Sequence, residues 1–131
     1  MSKGQVAIEF MTLVGFSMLL LAIMMGFVAK KQSQAVQYHN YQNARDIAEN
    51  VAFQAEMALV QGEGYSRKFF LPTALAGKNY NVTVRNNTVY LAWGEEFVTE
   101  PTLYRGRTLE LKSEGTNSFR VFNNGSVYIT R

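Results

Sequence analysis

The polarity of the chain changes abruptly near its start. An apolar run of twenty residues extends from Phe10 to Ala29 without a charged residue, and Lys30 and Lys31 end it. At about 1.5 Å of rise per residue, a helix of this length covers roughly 30 Å, the thickness of the hydrocarbon core of a bilayer. A cleaved secretory signal has a shorter apolar core followed by a small-residue cleavage site, so this run predicts a membrane helix that is retained.

The helical pattern continues after the two lysines. Residues 32–61 contain neither Gly nor Pro, and apolar side chains recur there at spacings of three and four residues, the period of one helix face. The residues of this stripe are Ala44, Ile47, Ala48, Val51, Ala55 and Ala58. Gly62 and Gly64 supply a stop signal.

We therefore predict one helix from about Gln5 to about Gln61. Residues 5–31 form its hydrophobic membrane or filament-core part, and residues 32–62 continue it as an amphipathic helix. A helix of this length is typical of a coiled coil, a membrane protein or a filament. Sustained a/d heptads are missing, which disfavours the coiled coil.

Beyond Gly64 the apolar residues alternate with polar ones, which predicts β-strands. The strand candidates are 68–71, 80–84, 88–93, 108–112, 119–121 and 127–129. Asn124-Gly125 separates the last two and is a strong hairpin signal. Pro72 and Pro101 are expected at strand ends or edges.

The predicted fold class is α+β, a long N-terminal helix packed against a small antiparallel β-sheet or sandwich domain. The β domain, residues 65–131, is marginal in size for a core of its own. We therefore expect its sheet to close over the apolar stripe of the amphipathic helix.

Composition and charge argue against several functions. The net charge is +3 and the chain has no basic stripe of the kind that nucleic-acid binding needs. There is no cysteine for disulfides or thiolate metal sites. His39 is the only histidine, and Glu95 and Glu96 are neighbours that point to opposite faces of a strand. We expect no enzyme activity, no metal and no cofactor.

The first ten residues carry the most specific motif. Lys3 precedes Gly4-Gln5. Glu9 lies four residues after Gln5, directly before the apolar run that starts at Phe10. This segment resembles the class III signal peptide of archaeal type IV pilins, in which a K-G-Q-x-x-x-E-F run leads into an apolar helix. Many family members have serine where this chain has Ala7, and the resemblance is specific over about the first 30 residues.

The resemblance implies a series of processing and assembly steps. A prepilin peptidase would cut between Gly4 and Gln5, remove the leader 1–4 and leave the apolar helix in place. The precursor would sit in the cytoplasmic membrane with its N-terminus inside and its β domain outside. A pilus assembly platform with its ATPase would then build a cell-surface filament from copies of the chain, with a function such as adhesion.

Glu9 has two interpretations from its position alone. As a first-turn acid it would complement the helix dipole and face the headgroups. Alternatively, it would pair with the new α-amino group of Gln5 on a neighbouring copy and set the axial register, which offsets the cost of a charge in an apolar environment. The Gly-Gln motif beside it favours the second interpretation.

Small residues form a second stripe on the apolar helix. Gly15, Ala22, Gly26 and Ala29 lie on one face, and small residues allow close helix packing in an apolar environment. The alternative is that glycine is simply common in membrane helices.

Three N-x-S/T sequons begin at Asn81, Asn86 and Asn124, all in the predicted β domain at outward or turn positions. They are candidate N-glycosylation sites. The alternative is that hairpins themselves need Asn, Gly and Thr.

Three functional hypotheses remain open. The first is a filament-forming structural subunit, the second a minor pilin that primes or tips a filament, and the third a membrane-anchored exported binding domain that does not polymerise. Gly4, Gln5 and Glu9 favour the first two, because a simple anchor does not need this set.

Overall fold

The computed structural model describes residues 3–131, so Met1 and Ser2 of the expected leader lie outside the described residues. One helix and seven strands follow in order: α1 (Lys3–Gln61), β1 (Ser66–Phe70), β2 (Tyr80–Arg85), β3 (Thr88–Trp93), β4 (Glu96–Pro101), β5 (Leu109–Lys112), β6 (Ser118–Asn123) and β7 (Val127–Thr130). The chain divides into two compact units at Tyr38 and His39, which are described separately. We call residues 39–131 the head domain.

The head domain contains two antiparallel sheets. The first has the strand order β1-β6-β7, and the second has the order β4-β3-β2-β5. In the second sheet Val82 pairs with Leu91 on one side and with Leu111 on the other. These three side chains are buried, as the alternation of polarity predicted.

The core lies between the sheets and the C-terminal part of α1. The predicted stripe is confirmed, since Ala44, Ile47, Ala48, Val51, Ala55 and Ala58 are all buried. They form one cluster with side chains from both sheets, of which Tyr80, Leu91, Phe119 and Val121 are among the most completely enclosed. Four of these six stripe residues are alanine, and their small side chains let the sheets approach the backbone of α1 closely. The fold is therefore α+β, a long helix packed against two small antiparallel sheets.

The hairpin of β2 and β3 has a two-residue turn. Arg85 pairs with Thr88, so β2 and β3 are joined by Asn86 and Asn87 alone, both with positive φ (48° and 61°). Asparagine tolerates this conformation better than most residues, and hairpins of this length require it.

The Asn124-Gly125 signal correctly predicts a hairpin between β6 and β7. Asn123 pairs with Val127, which leaves three residues in the loop instead of the two that an Asn-Gly turn suggests. The buried Asn123 side chain explains the longer loop. Its Oδ1 accepts from the N–H of Gly125 (3.0 Å), and its Nδ2 donates to the carbonyl of Ala58 on α1 (2.8 Å).

Strand β4 was missing from the strand candidates. Its residues Glu96–Pro101 alternate weakly, and only Val98 and Glu100 are buried. A buried glutamate obscures the period-two pattern. As expected, Pro101 ends this edge strand, where a missing N–H costs little.

Candidate functional site

The apolar segment of α1 is uncovered within the chain. Among residues 3–131, α1 is the one helix long and apolar enough to cross a membrane, with a mean hydropathy of 2.3 in its most apolar window and none of that window buried. Phe10, Leu20 and Phe27 are 63%, 48% and 68% exposed. Such a surface is compatible with membrane anchoring, since lipid or other apolar helices must keep it from water.

Polar side chains inside this segment are satisfied by their own backbone. The hydroxyl of Thr12 donates to the carbonyl of Ile8, and the hydroxyl of Ser17 donates to the carbonyl of Leu13, both at 2.8 Å. Helices surrounded by lipid or by other apolar helices need this internal pairing, because no water is there to replace it.

Gly4, Gln5 and Glu9 all lie on α1 and are exposed. The expectation that Glu9 lies in the first helical turn is wrong, because the described helix already begins at Lys3. Glu9 is therefore in the second turn, where the dipole effect has fallen off. Its carboxylate has no ion pair or hydrogen bond with any residue from 3 to 131.

The small-residue stripe has open space in front of it. A Cβ added at Gly15 or Gly26 would meet no atom of the chain within 4 Å outside the local helix backbone, and Ala22 and Ala29 are likewise exposed. Packing within the chain therefore does not explain these glycines. A contact with another helix would.

The three sequon asparagines are all exposed. Asn81 lies on the outer face of the four-stranded sheet, between Ala92 and Lys112 on the neighbouring strands. Asn86 lies in the loop between β2 and β3, and Asn124 lies in the loop between β6 and β7. Each acceptor amide is therefore sterically open to modification.

No cluster of three or more His, Cys, Asp or Glu side chains that could hold a metal occurs in residues 3–131. The single histidine, His39, is exposed on the helix, and its Nδ1 lies 3.1 Å from the side-chain amide of Asn43.

Sequence reasoning missed a carboxylate that holds a loop of the head domain. Glu56 Oε1 accepts a hydrogen bond from the hydroxyl of Thr102 and another from the backbone N–H of Leu103, both at 2.7 Å. Glu56 lies outside the apolar stripe of α1. Nothing in its local sequence indicates partners about 46 residues away.

Three exposed apolar residues are associated with Glu56. The hydrogen bond from its backbone N–H ties Leu103 to Glu56, and Phe53 and Val60 lie three residues before and four residues after Glu56, on the same side of α1. Leu103 and Val60 are each 79% exposed, and Phe53 is 51% exposed. We call these three side chains the Phe53 patch.

Comparison with known proteins identifies no related protein. The chain matches no protein-family model, no curated protein and no solved structure.

Proposed function

We propose that this chain is a structural subunit of a surface filament, similar to an archaeal type IV pilin. The observation that carries the proposal is the uncovered apolar segment of α1, which begins directly after Gly4, Gln5 and Glu9. A segment that is fully exposed within its own chain needs a partner. Lipid supplies that partner before assembly, and the helices of other copies supply it afterwards.

Two separate apolar surfaces support an open assembly. Each copy carries the segment 10–29 and, on its head domain, the Phe53 patch. A contact between two different surfaces of identical chains is head-to-tail. Repetition of a head-to-tail contact gives a helical filament when the rotation does not close a ring.

The proposed pathway begins in the cytoplasmic membrane with the N-terminus inside and the head domain outside. A prepilin peptidase cuts between Gly4 and Gln5, and an assembly platform with its ATPase incorporates the mature chain into the filament. Adhesion is the proposed role of the filament, because the head domain forms its outer surface.

A second candidate function is an anchored, exported binding domain that does not polymerise. The observation in its favour is a pocket in the head domain, described below, which a purely structural subunit does not need. A minor pilin would combine the two properties.

Two measurements on native material test the filament proposal. Intact-mass analysis should show a mature chain that begins at Gln5, and electron microscopy of cells with and without the protein should show filaments only in the former. A chain cut after Ala29, or unchanged filaments in the deletion strain, would contradict it.

A further inference from the structure

A pocket of about 350 Å³ lies between α1 and the loop that follows β1, entirely within the head domain. This volume is at the small end of the range for ligand sites, so it suits a small molecule or the terminal unit of a larger one. Asn43, Asp46 and Asn50 form one wall. Their spacing of three and four residues puts them on one face of α1.

The rest of the lining is apolar. It includes Phe70, which is 62% exposed, and Pro72, while the buried residues Ile47, Leu71 and Leu75 also line the cavity. A ligand in this pocket can therefore contact both hydrogen-bonding groups and hydrocarbon side chains.

The polar wall has unused hydrogen-bonding capacity. The carboxylate of Asp46 has no hydrogen bond or ion pair with any residue from 3 to 131. Asn50 Oδ1 accepts from Gln54 Nε2 at 3.3 Å, and Gln54 itself does not line the pocket. The side-chain NH2 of Asn50 is a donor that this bond does not use.

The loop that forms the apolar wall is held rigidly. The hydroxyl of Tyr80 donates to the carbonyl of Pro72 at 2.6 Å, and Leu75 and Lys78 exchange two backbone hydrogen bonds of 2.9 Å. Between them Ala76, which also lines the pocket, has a φ of +51°, a conformation that is unfavourable for alanine. Strained residues of this kind concentrate at binding sites, where the surrounding structure holds them in place.

The charge of the pocket restricts the class of ligand. Asp46 is the one charged residue that lines it. Just outside the lining, the Nζ of Lys68 lies 5.4 Å from the centroid of the Phe70 ring. The two opposite charges offset each other, so the pocket has no excess charge that selects an ion. Amide and carboxylate groups instead match a set of neighbouring hydroxyls, which can donate to Asp46 and accept from Asn50. The ring of Phe70 matches the C–H face of a sugar ring.

We propose that this pocket binds a neutral hexose, the terminal residue of a surface glycan. Asp46 and Asn50 hydrogen-bond to its hydroxyls, and Phe70 packs against its apolar face. Sugar binding here does not depend on polymerisation, since every residue involved belongs to the head domain of one chain. A failure of sugar binding would therefore leave the filament proposal intact, and the reverse also holds.

The test is saturation-transfer difference NMR on the full chain in a detergent without sugar headgroups. The probes are the methyl glycosides of glucose, galactose and mannose at millimolar concentration. We expect saturation transfer to at least one of them, with chemical-shift changes for the backbone amides of residues 70, 71 and 73–76. Asp46→Asn should weaken binding about tenfold, the loss expected for one charge-assisted hydrogen bond.

Glu95→Gln is the matched control, because Glu95 is exposed, lies outside the pocket and loses the same charge. It should bind as tightly as the wild type. Phe70→Ala gives an independent test on the apolar wall and should also weaken binding. Trp93 fluorescence verifies that each variant is folded. Absence of transfer to all three glycosides, equal weakening by Glu95→Gln, or preferential binding of butylammonium would overturn the proposal.

Discussion

Arg45 on α1 and Glu100 on β4 form an ion pair, with 2.6 Å between Nε and Oε1. The two partners differ in environment, since the Glu100 side chain is only 10% exposed and that of Arg45 is 55% exposed. The pair joins the helix to the edge strand of the larger sheet. It also explains why a charged residue occupies an inward position of β4.

Arg45→Met should destabilise the head domain by about 1–3 kcal/mol, because it leaves a nearly buried carboxylate without its charged partner. The double variant Arg45→Met, Glu100→Met should recover part of this loss, since no unpaired charge remains. Urea unfolding of the full chain in detergent measures both, followed through Trp93, the sole tryptophan of the sequence and a buried side chain. Equal stability of Arg45→Met and wild type would show that the ion pair does not stabilise the fold.

Glu56→Ala should release the loop that carries Leu103. Both hydrogen bonds to Glu56 Oε1 are lost, so we expect a destabilisation of about 1–3 kcal/mol and faster hydrogen exchange at the amide of Leu103. Glu56→Gln keeps an acceptor oxygen and should lie between wild type and alanine. Glu63→Ala, at an exposed position without these contacts, is the control. Unchanged exchange at Leu103 would argue against the clamp.

The head domain should lose stability between about pH 10 and about pH 12. Burial raises the pKa of Tyr80 from 10.0 to about 12, because it disfavours the phenolate. In this window the unfolded chain releases the proton before the folded one does, so unfolding becomes progressively easier as the pH rises. Tyr80→Phe should reduce this slope. It should also cost about 1 kcal/mol at neutral pH, since the hydrogen bond to Pro72 is lost.

Thermal unfolding from pH 8 to 11.5, compared between wild type, Tyr80→Phe and Tyr90→Phe, measures this effect. Tyr90 is exposed, so its removal should leave the slope unchanged. Burial also raises the pKa of Tyr104, which contributes equally to all three proteins and cancels in the comparison. Identical slopes for wild type and Tyr80→Phe would contradict the assignment.

Glu9→Gln should leave the head domain folded and the chain in the membrane, but should reduce filament number. Removing a charge makes membrane residence easier, so a loss of filaments would come from the contact between copies. A buried amine left without its carboxylate costs about 3–5 kcal/mol, whereas a dipole interaction in the second turn is worth less than the about 0.3–1 kcal/mol of a first-turn acid. Counting filaments and measuring the membrane pool at equal expression, with Glu95→Gln as control, separates the two. Normal filaments would remove Glu9 from the assembly step.

Glycans on native protein should be found at Asn81, Asn86 or Asn124, each of which is exposed. Thr83→Val, Thr88→Val and Ser126→Ala remove the three sequons one at a time and keep each asparagine, which matters most for Asn86 with its positive φ. Each change should lower the intact mass by one glycan if that site is used. A mass equal to the unmodified polypeptide would show that these asparagines serve the hairpins alone.

Structural features that depend on residues close together in the sequence could be predicted. The apolar segment 10–29 follows from summed hydropathy, and the buried face of α1 follows from the helical period. The alternation of apolar and polar residues correctly predicted the two faces of β2, with Asn81 outward and Val82 inward. The strand β1 starts two residues earlier than predicted. Its first residues are exposed on both faces, so no alternation of apolar and polar residues marks its start in the sequence.

The candidate site was predictable only in part. Gly4, Gln5, Glu9 and the small-residue stripe stand out because a local motif or period marks them. The Phe53 patch and the pocket do not, because each combines α1 with a loop distant in sequence. Their existence depends on which sheet edge meets which turn of the helix.

The sequence by itself determined the apolar segment, the buried face of α1 and the hairpin at Asn124-Gly125, since each follows from residues close together in the sequence. Only the tertiary structure decided that Arg45 pairs with Glu100, that Glu56 binds the loop at Leu103 and that Asp46 and Phe70 line the same pocket. The physical reason is that a charge or a polar side chain is equally stable in water on any exposed face. Its partner is chosen by the sheet order and register that burial of the apolar residues imposes.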